Sequence, residues 1–168
     1  MIQIRPAREE DCAQILQLVK ELAAFEELSD QVQATEEDLR RDGFGPSPRF
    51  ECLLAETHEG SGTSPTVVGF ALFFLTYSTF AGRPGLYLED IYIRETARGL
   101  GAGRQLLAWL AAIARARNCP RLDLSVLHWN PARGFYEKLG IRHQSEWLPY
   151  RLEGEYLQEL ADTARDTL

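Results

Sequence analysis

The sequence predicts an α+β fold built around a mixed β-sheet. Three observations predict it. Segments of strand period and of helical period alternate along the chain; the strand-like ones gather in its middle; and a glycine-rich turn leads from a long strand into the longest helix. The order reads βααβββαβαβ, and the 168 residues suit a single domain spanning 1–168 with one core.

Residues 2–5 alternate and stop at Pro6, which marks a short strand. Glu9, Glu10 and Asp11 place acids where a helix N-terminus favours them, and Ile15, Leu18, Val19, Leu22 and Phe25 follow at helical spacing. Thr35 with Asp38 forms a capping-box pattern, opening a short second helix that Gly43 would end. Cys52, Leu53, Leu54 and Ala55 read as a buried strand. The loop over 58–65 carries Gly60, Ser61, Gly62 and Ser64, and 67–77 completes an antiparallel hairpin. A turn over 82–85 precedes a strand over 86–93, rich in aromatic and β-branched residues. Leu106, Leu107, Leu110, Ile113 and Ala114 make the apolar stripe of a helix over 102–116. Leu122, Leu124 and Val126 alternate as a strand. Pro131 opens a helix that runs to Leu139 and stops at Gly140. The tail is expected to hold one or two short strands and a last amphipathic helix near 156–164.

Composition excludes several classes of function. The net charge is −7 and the pI about 5.0, which argues against nucleic acid as a partner, since that needs Lys/Arg stripes facing phosphates. An acidic field can attract a cationic substrate such as a diamine, although its commoner service is solubility. Cys12, Cys52 and Cys119 are odd in number and widely spaced, so no disulfide framework, no metal site and a reduced compartment are expected. The N-terminus carries no signal-peptide pattern, and the longest apolar run, 67–75, falls far short of the ~18 to 20 residues that span a bilayer. The expected address is the cytoplasm, with no membrane partner.

The most informative segment is Arg98-Gly99-Leu100-Gly101-Ala102-Gly103, between a strand and a long helix. Glycines there permit positive φ and a close backbone approach to a ligand. The helix that follows offers unpaired N–H groups and the positive end of its dipole, an anion nest suited to a diphosphate. A plain glycine-rich turn is the competing reading. A dinucleotide fingerprint fails because Arg104 stands where the third glycine belongs, and a P-loop fails because no Gly-Lys-Ser/Thr follows.

Arg98-x-x-Gly-x-Gly entering an amphipathic helix resembles the acetyl-coenzyme A pyrophosphate motif of the GNAT N-acetyltransferases. Two further segments resemble that family: Asn130-Pro131 ahead of a helix bearing Phe135-Tyr136 and closed by Gly140, and Ile4-Arg5-Pro6-Ala7 with Asp11. Asp42-Gly43-Phe44-Gly45 and Tyr87-Leu88-Glu89-Asp90 narrow the resemblance to the diamine acetyltransferase branch, which includes spermidine/spermine and thialysine acetyltransferases. The match runs nearly end to end. It implies a mostly antiparallel sheet flanked by helices on both faces, acetyl-coenzyme A as cosubstrate, and a homodimer. Ser78-Thr79 resembles the thialysine members, and Phe80 stands where polyamine-acetylating members carry Trp. Asn130 lies six residues before Tyr136 where the family usually shows seven.

The resemblance also implies residue roles. Tyr136 would be the general acid and Glu89 the base. Ile91, Tyr92 and Ile93 would hold the pantetheine arm along the strand. Arg98, Gly99, Leu100, Gly101, Ala102, Gly103 and Arg104 would hold the diphosphate, with Asn130 and Tyr136 also touching the coenzyme. Phe25, Glu26, Glu89, Asp90, Asp123, Leu124, Ser125, Glu146 and Trp147 would surround the amine. The chemistry suits these residue types. An alkyl ammonium of pKa about 10.4 must lose a proton before it attacks, at a cost of about 4 to 5 kcal/mol at neutral pH. A carboxylate can take that proton, and a phenol of pKa ~10 can protonate a departing thiolate of pKa ~8.5. Acetylation of another amine, on an aminoglycoside or a protein, and a non-catalytic acyl-coenzyme A sensor are the alternatives; a sensor needs neither Tyr136 nor Glu89.

Overall fold

The computed structural model describes residues 1–58 and 64–164, so Gly60, Ser61 and Gly62 of the expected loop lie outside the described residues. Strands β1 (Ile2–Pro6), β2 (Glu51–Thr57), β3 (Thr66–Ser78), β4 (Arg83–Ile93) and β5 (Leu122–Leu124) lie side by side in chain order. The first three pairings are antiparallel and β4–β5 is parallel, giving the mixed, mostly antiparallel sheet that the sequence predicts. The helices are α1 (Cys12–Phe25), α2 (Glu36–Phe44), α3 (Ala102–Ala116), α4 (Ala132–Lys138) and α5 (Gly154–Asp162).

Strand alternation divides the sheet residues between two cores. Cys52, Leu54, Phe70 and Leu72 join Cys12, Ile15, Leu18 and Leu22 of α1 and Leu39 of α2 in one buried cluster. Their chain neighbours Leu53, Ala55, Ala71 and Phe73 point the other way and are equally buried. On that side α3 touches every strand, burying Leu106, Leu107, Leu110 and Ala114. Each fully buried Leu contributes roughly 2 kcal/mol. Helices therefore cover both faces, as expected from the resemblance.

Ion pairs pin α1 to the sheet at both ends. Arg5 of β1 donates from two guanidinium nitrogens to the Asp11 carboxylate at 2.7 and 2.9 Å, and from Nε to buried Glu56 at 2.8 Å. These hydrogen bonds hold the Asp11 carboxyl below the usual carboxylate range. At the far end Arg94 grips Glu21 through Nε and Nη2 at 2.9 and 2.8 Å and reaches the Val67 carbonyl at 2.8 Å.

Four local expectations need correction. Gly43 does not end α2, which runs on to Phe44; a Cβ at Gly43 would meet the Phe50 ring at 2.6 Å, so glycine serves that packing. The fifth strand stops at Leu124 rather than reaching Val126. No strand follows β5 among the described residues. Residues 142–153 are exposed throughout and irregular, because no strand lies alongside to pair with them and Pro149 offers no ladder donor. The last helix starts at Gly154, two residues before the expected position.

The chain forms two compact units, Met1–Ser125 and Val126–Leu168. The first holds the sheet with α1, α2 and α3; the second holds α4 and α5, and α5 buries none of its residues. No helix among the described residues is long and apolar enough to cross a membrane.

Candidate active site

The β3–β4 register pairs Phe73 with Leu88 and Leu72 with Asp90, leaving Glu89 as the extra residue of a β-bulge. Residues directly opposite share a face. Leu88 therefore shares the α3 side with Phe73, while Asp90 shares the α1 side with Leu72. Regular alternation would have sent Asp90 into the apolar α3 core beside Leu88. The bulge re-aims it instead toward the end of α1.

That end is closed by a Schellman motif: the Leu28 N–H donates to the Ala23 carbonyl at 2.8 Å and the Glu27 N–H to Ala24 at 3.2 Å. Glu27 takes the left-handed position at φ 59°, a place that glycine usually fills. Glu26 is thereby fixed at the helix C-cap, right after Phe25. Burial raises the Glu26 carboxyl. The Asp90 carboxyl is pushed up to about 6, first by burial and then by repulsion from Glu89 and Glu26. The structure thus brings Glu26, Glu89 and Asp90 into one electrostatic group, although no three His, Cys, Asp or Glu side chains among the described residues are gathered closely enough to hold a metal ion.

This has a stability consequence with a definite sign. The folded Asp90 binds a proton more tightly than the unfolded chain, so the cost of ionising it is absent below about pH 4. It grows as pH rises toward 6 and is complete above that. Asp90→Asn is expected to raise the melting temperature at pH 7.5, by the equivalent of up to about 3 kcal/mol, with little change at pH 4. Thermal melts of both proteins at the two pH values check this; equal melting temperatures at pH 7.5 would contradict it.

Beyond the bulge, β4 has an open edge. β5 pairs only with Leu86, Tyr87 and Leu88, so 89–93 is flanked by β3 on one side and by no strand among the described residues on the other. The Arg94 N–H donates to Val68 at 2.8 Å. Counting back by twos, Tyr92 and Asp90 face β3, while Ile91 and Ile93 turn their N–H and C=O groups to the open edge. The Ile93 carbonyl accepts from Arg98 Nε at 3.2 Å.

The glycine-rich turn follows. Gly99 and Gly101 have φ of 80° and 84°, and a Cβ at either would meet nothing within 4 Å, so glycine is required by backbone conformation rather than by space. No side chain caps α3. Its first intrahelical bond is Gln105 N–H to Gly101 C=O at 3.0 Å, which leaves the amides of Gly101, Ala102, Gly103 and Arg104 without a helical acceptor. Aligned donors at a positive helix end fit a diphosphate, and an open strand edge fits an amide-bearing arm. Arg98 enters the turn with its guanidinium over the Phe25 ring, 5.0 Å from the centroid, and 6.0 Å from the Tyr92 centroid.

The remaining expected residues have other engagements. Asp123 is ion-paired with Arg121 at 2.8 Å. Ser125 Oγ shares a 2.8 Å hydrogen bond with the Tyr87 hydroxyl, and Leu124 sits opposite Leu88. Asn130, Tyr136, Glu146 and Trp147 belong to the second unit. Asn130 Oδ1 accepts from the Ala132 N–H at 2.9 Å and so caps α4, a task the sequence reading did not assign. Tyr136 is buried, its ring 5.6 Å from Phe135. Its carbonyl anchors the end of α4 by accepting from Ile141 N–H at 3.1 Å, with Gly140 at φ 86°. Glu146 and Trp147 lie in the exposed irregular segment. The sequence reading missed Arg121, whose i, i+2 spacing from Asp123 along an extended chain was a usable signal. It also missed the left-handed Glu27 and the ring of Tyr92.

The profile of the acetyltransferase (GNAT) family matches residues 12–141. The chain belongs to the GNAT acetyltransferase family. Members of that family use acetyl-coenzyme A as cosubstrate, and the enzyme class, an acetyl-coenzyme A-dependent N-acetyltransferase, follows. Thialysine N-epsilon-acetyltransferase of Bos taurus is 45% identical over 166 residues, covering 95% of this chain and 97% of its own. Spermidine/spermine N(1)-acetyltransferase-like protein 1 of Homo sapiens is 39% identical over 164 residues, 95% of this chain but 24% of that longer one. An integron cassette protein from the mobile metagenome of V. cholerae superposes with a TM-score of 0.78 at 29% identity, over 96% of this chain and 98% of its own.

Proposed function

We propose that this GNAT protein transfers the acetyl group of acetyl-coenzyme A to a primary amine of a small diamine, polyamine or lysine-like substrate, with a thialysine-type amine favoured. The bulge at Glu89 supports the reading: it turns Asp90 to the α1 side, within electrostatic reach of Glu89 and Glu26, at the start of an open strand edge. The 45% identity to a thialysine acetyltransferase supports the lysine-like choice. When bound, acetyl-coenzyme A supplies an activated acetyl thioester. Amides 99–104 and the edge at Ile91 and Ile93 would hold it. Glu26 and Asp90 hold the ammonium, with Phe25 alongside. Glu89 takes its proton, directly or through water, and Tyr136 holds the proton needed by the departing thiolate at its phenolic oxygen.

In this proposal residues 1–168 form a single GNAT N-acetyltransferase domain. The three buried, unbridged cysteines support a cytoplasmic setting. Resemblance to the diamine branch supports a homodimer, with Tyr156, Leu157 and Leu160 exposed on α5 as available apolar surface. The acidic balance speaks against nucleic-acid partners.

The test is thiol release from acetyl-coenzyme A with thialysine, lysine, putrescine, spermidine and an aminoglycoside. The lysine-like and diamine amines are expected to turn over at least tenfold faster than the aminoglycoside. Preference for the aminoglycoside, or no thiol release with any amine, would overturn the proposal.

A further inference from the structure

Arg98 opens the glycine-rich turn, yet its guanidinium does not project from it. Nε is bound to the Ile93 carbonyl at 3.2 Å, and the plane lies over Phe25 and within 6.0 Å of Tyr92. No carboxylate among the described residues pairs with it. Both rings are close in sequence to an acid of the amine group. Phe25 is the last residue of α1 and Glu26 is its C-cap. Tyr92 lies two residues beyond Asp90 on the same face of β4, opposite Phe70 as Asp90 is opposite Leu72. One side chain therefore touches the segment proposed for the coenzyme's diphosphate, the open strand edge and the helix end that carries Glu26.

We infer that Arg98 is a positioning residue that couples the two substrates: when coenzyme phosphates fix the turn, Arg98 holds Phe25 and with it the α1 C-cap, so that amine and coenzyme each bind more tightly in the presence of the other. The inference rests on the function proposed above. Its physical basis is a cation–π contact between a charged planar group and a ring at the end of a helix. That contact weakens when the turn is mobile and strengthens when the turn is held. Coupling of this kind is reciprocal, so coenzyme must sharpen amine affinity by the same factor by which amine sharpens coenzyme affinity.

The experiment is calorimetric titration of the full chain with thialysine and with putrescine, each alone and at saturating coenzyme A, which carries no acetyl group to transfer. In the unaltered protein the amine dissociation constant is expected to fall about tenfold when coenzyme A is present, within the usual range for coupled sites. Phe25→Leu, which keeps apolar bulk but loses the ring face, is expected to reduce that factor below about twofold. Phe25→Tyr restores it, an outcome that loss of packing alone would not give. Arg98→Lys reduces it as well, because an ammonium cannot stack as a plane.

Coenzyme A binding with an amine affinity unchanged by its presence would overturn the coupling while leaving the proposed function standing. Equal coupling in the unaltered protein and Phe25→Leu would do the same. Absence of any coenzyme A heat would instead remove the proposed function on which the coupling rests.

Discussion

Tyr136→Phe is expected to lower turnover at least tenfold while leaving coenzyme affinity nearly unchanged. The substitution removes one oxygen and keeps the ring that packs beside Phe135 in α4. A tenfold loss corresponds to about 1.4 kcal/mol of transition-state stabilisation; it is a floor, below the roughly 100-fold or more that a positioned general acid typically supplies. Loss of the proton donor should weigh most where the leaving thiolate is most basic. An acyl donor whose thiol has a lower pKa should therefore recover part of the rate in the variant. Steady-state kinetics with acetyl-coenzyme A and one such donor checks both points; undiminished turnover removes the acid role from Tyr136.

Gly101→Val should act on the other substrate. At φ 84° a β-branched residue is strained by about 1 to 2 kcal/mol, and relief of that strain requires the turn ahead of α3 to change shape. The KM for acetyl-coenzyme A is expected to rise at least tenfold, with a smaller change in kcat. Gly82 provides the control. It also has positive φ, 63°, and an open surround, but lies in the β3–β4 connection away from the α3 turn. Gly82→Val should lower the melting temperature by a similar amount and leave that KM alone. An equal KM increase in both variants would attribute the effect to general destabilisation.

What could be read from the sequence was local. The glycine turn and α3 are specified by residues within one short stretch, and they form where expected. The Thr35 capping box closes as read, with Thr35 and Asp38 exchanging hydrogen bonds at 3.0 and 3.2 Å. Glu89 and Asp90 were identifiable as a pair, but not the face that Asp90 takes: regular alternation puts it beside Leu88, and only the β3 register shows the bulge that moves it to the α1 side. The expected tail strands do not form among the described residues, because a strand needs a neighbour to pair with and no strand lies alongside residues 142–153. The capping bond of Asn130 was also legible, because an Asn two residues before a helix start is placed to accept from its first amides. The ion pair that holds Asp123 was not foreseen, because its charge was considered without Arg121.

The most direct measurement is the heat of binding acetyl-coenzyme A to the unaltered chain without amine. Saturable binding at one molecule per chain, weakened at least tenfold by Gly101→Val and little affected by Gly82→Val, is the expected result, since unpaired amides at the start of α3 are held to grip the phosphates. A flat titration, or equal affinity in the unaltered chain and Gly101→Val, would contradict it.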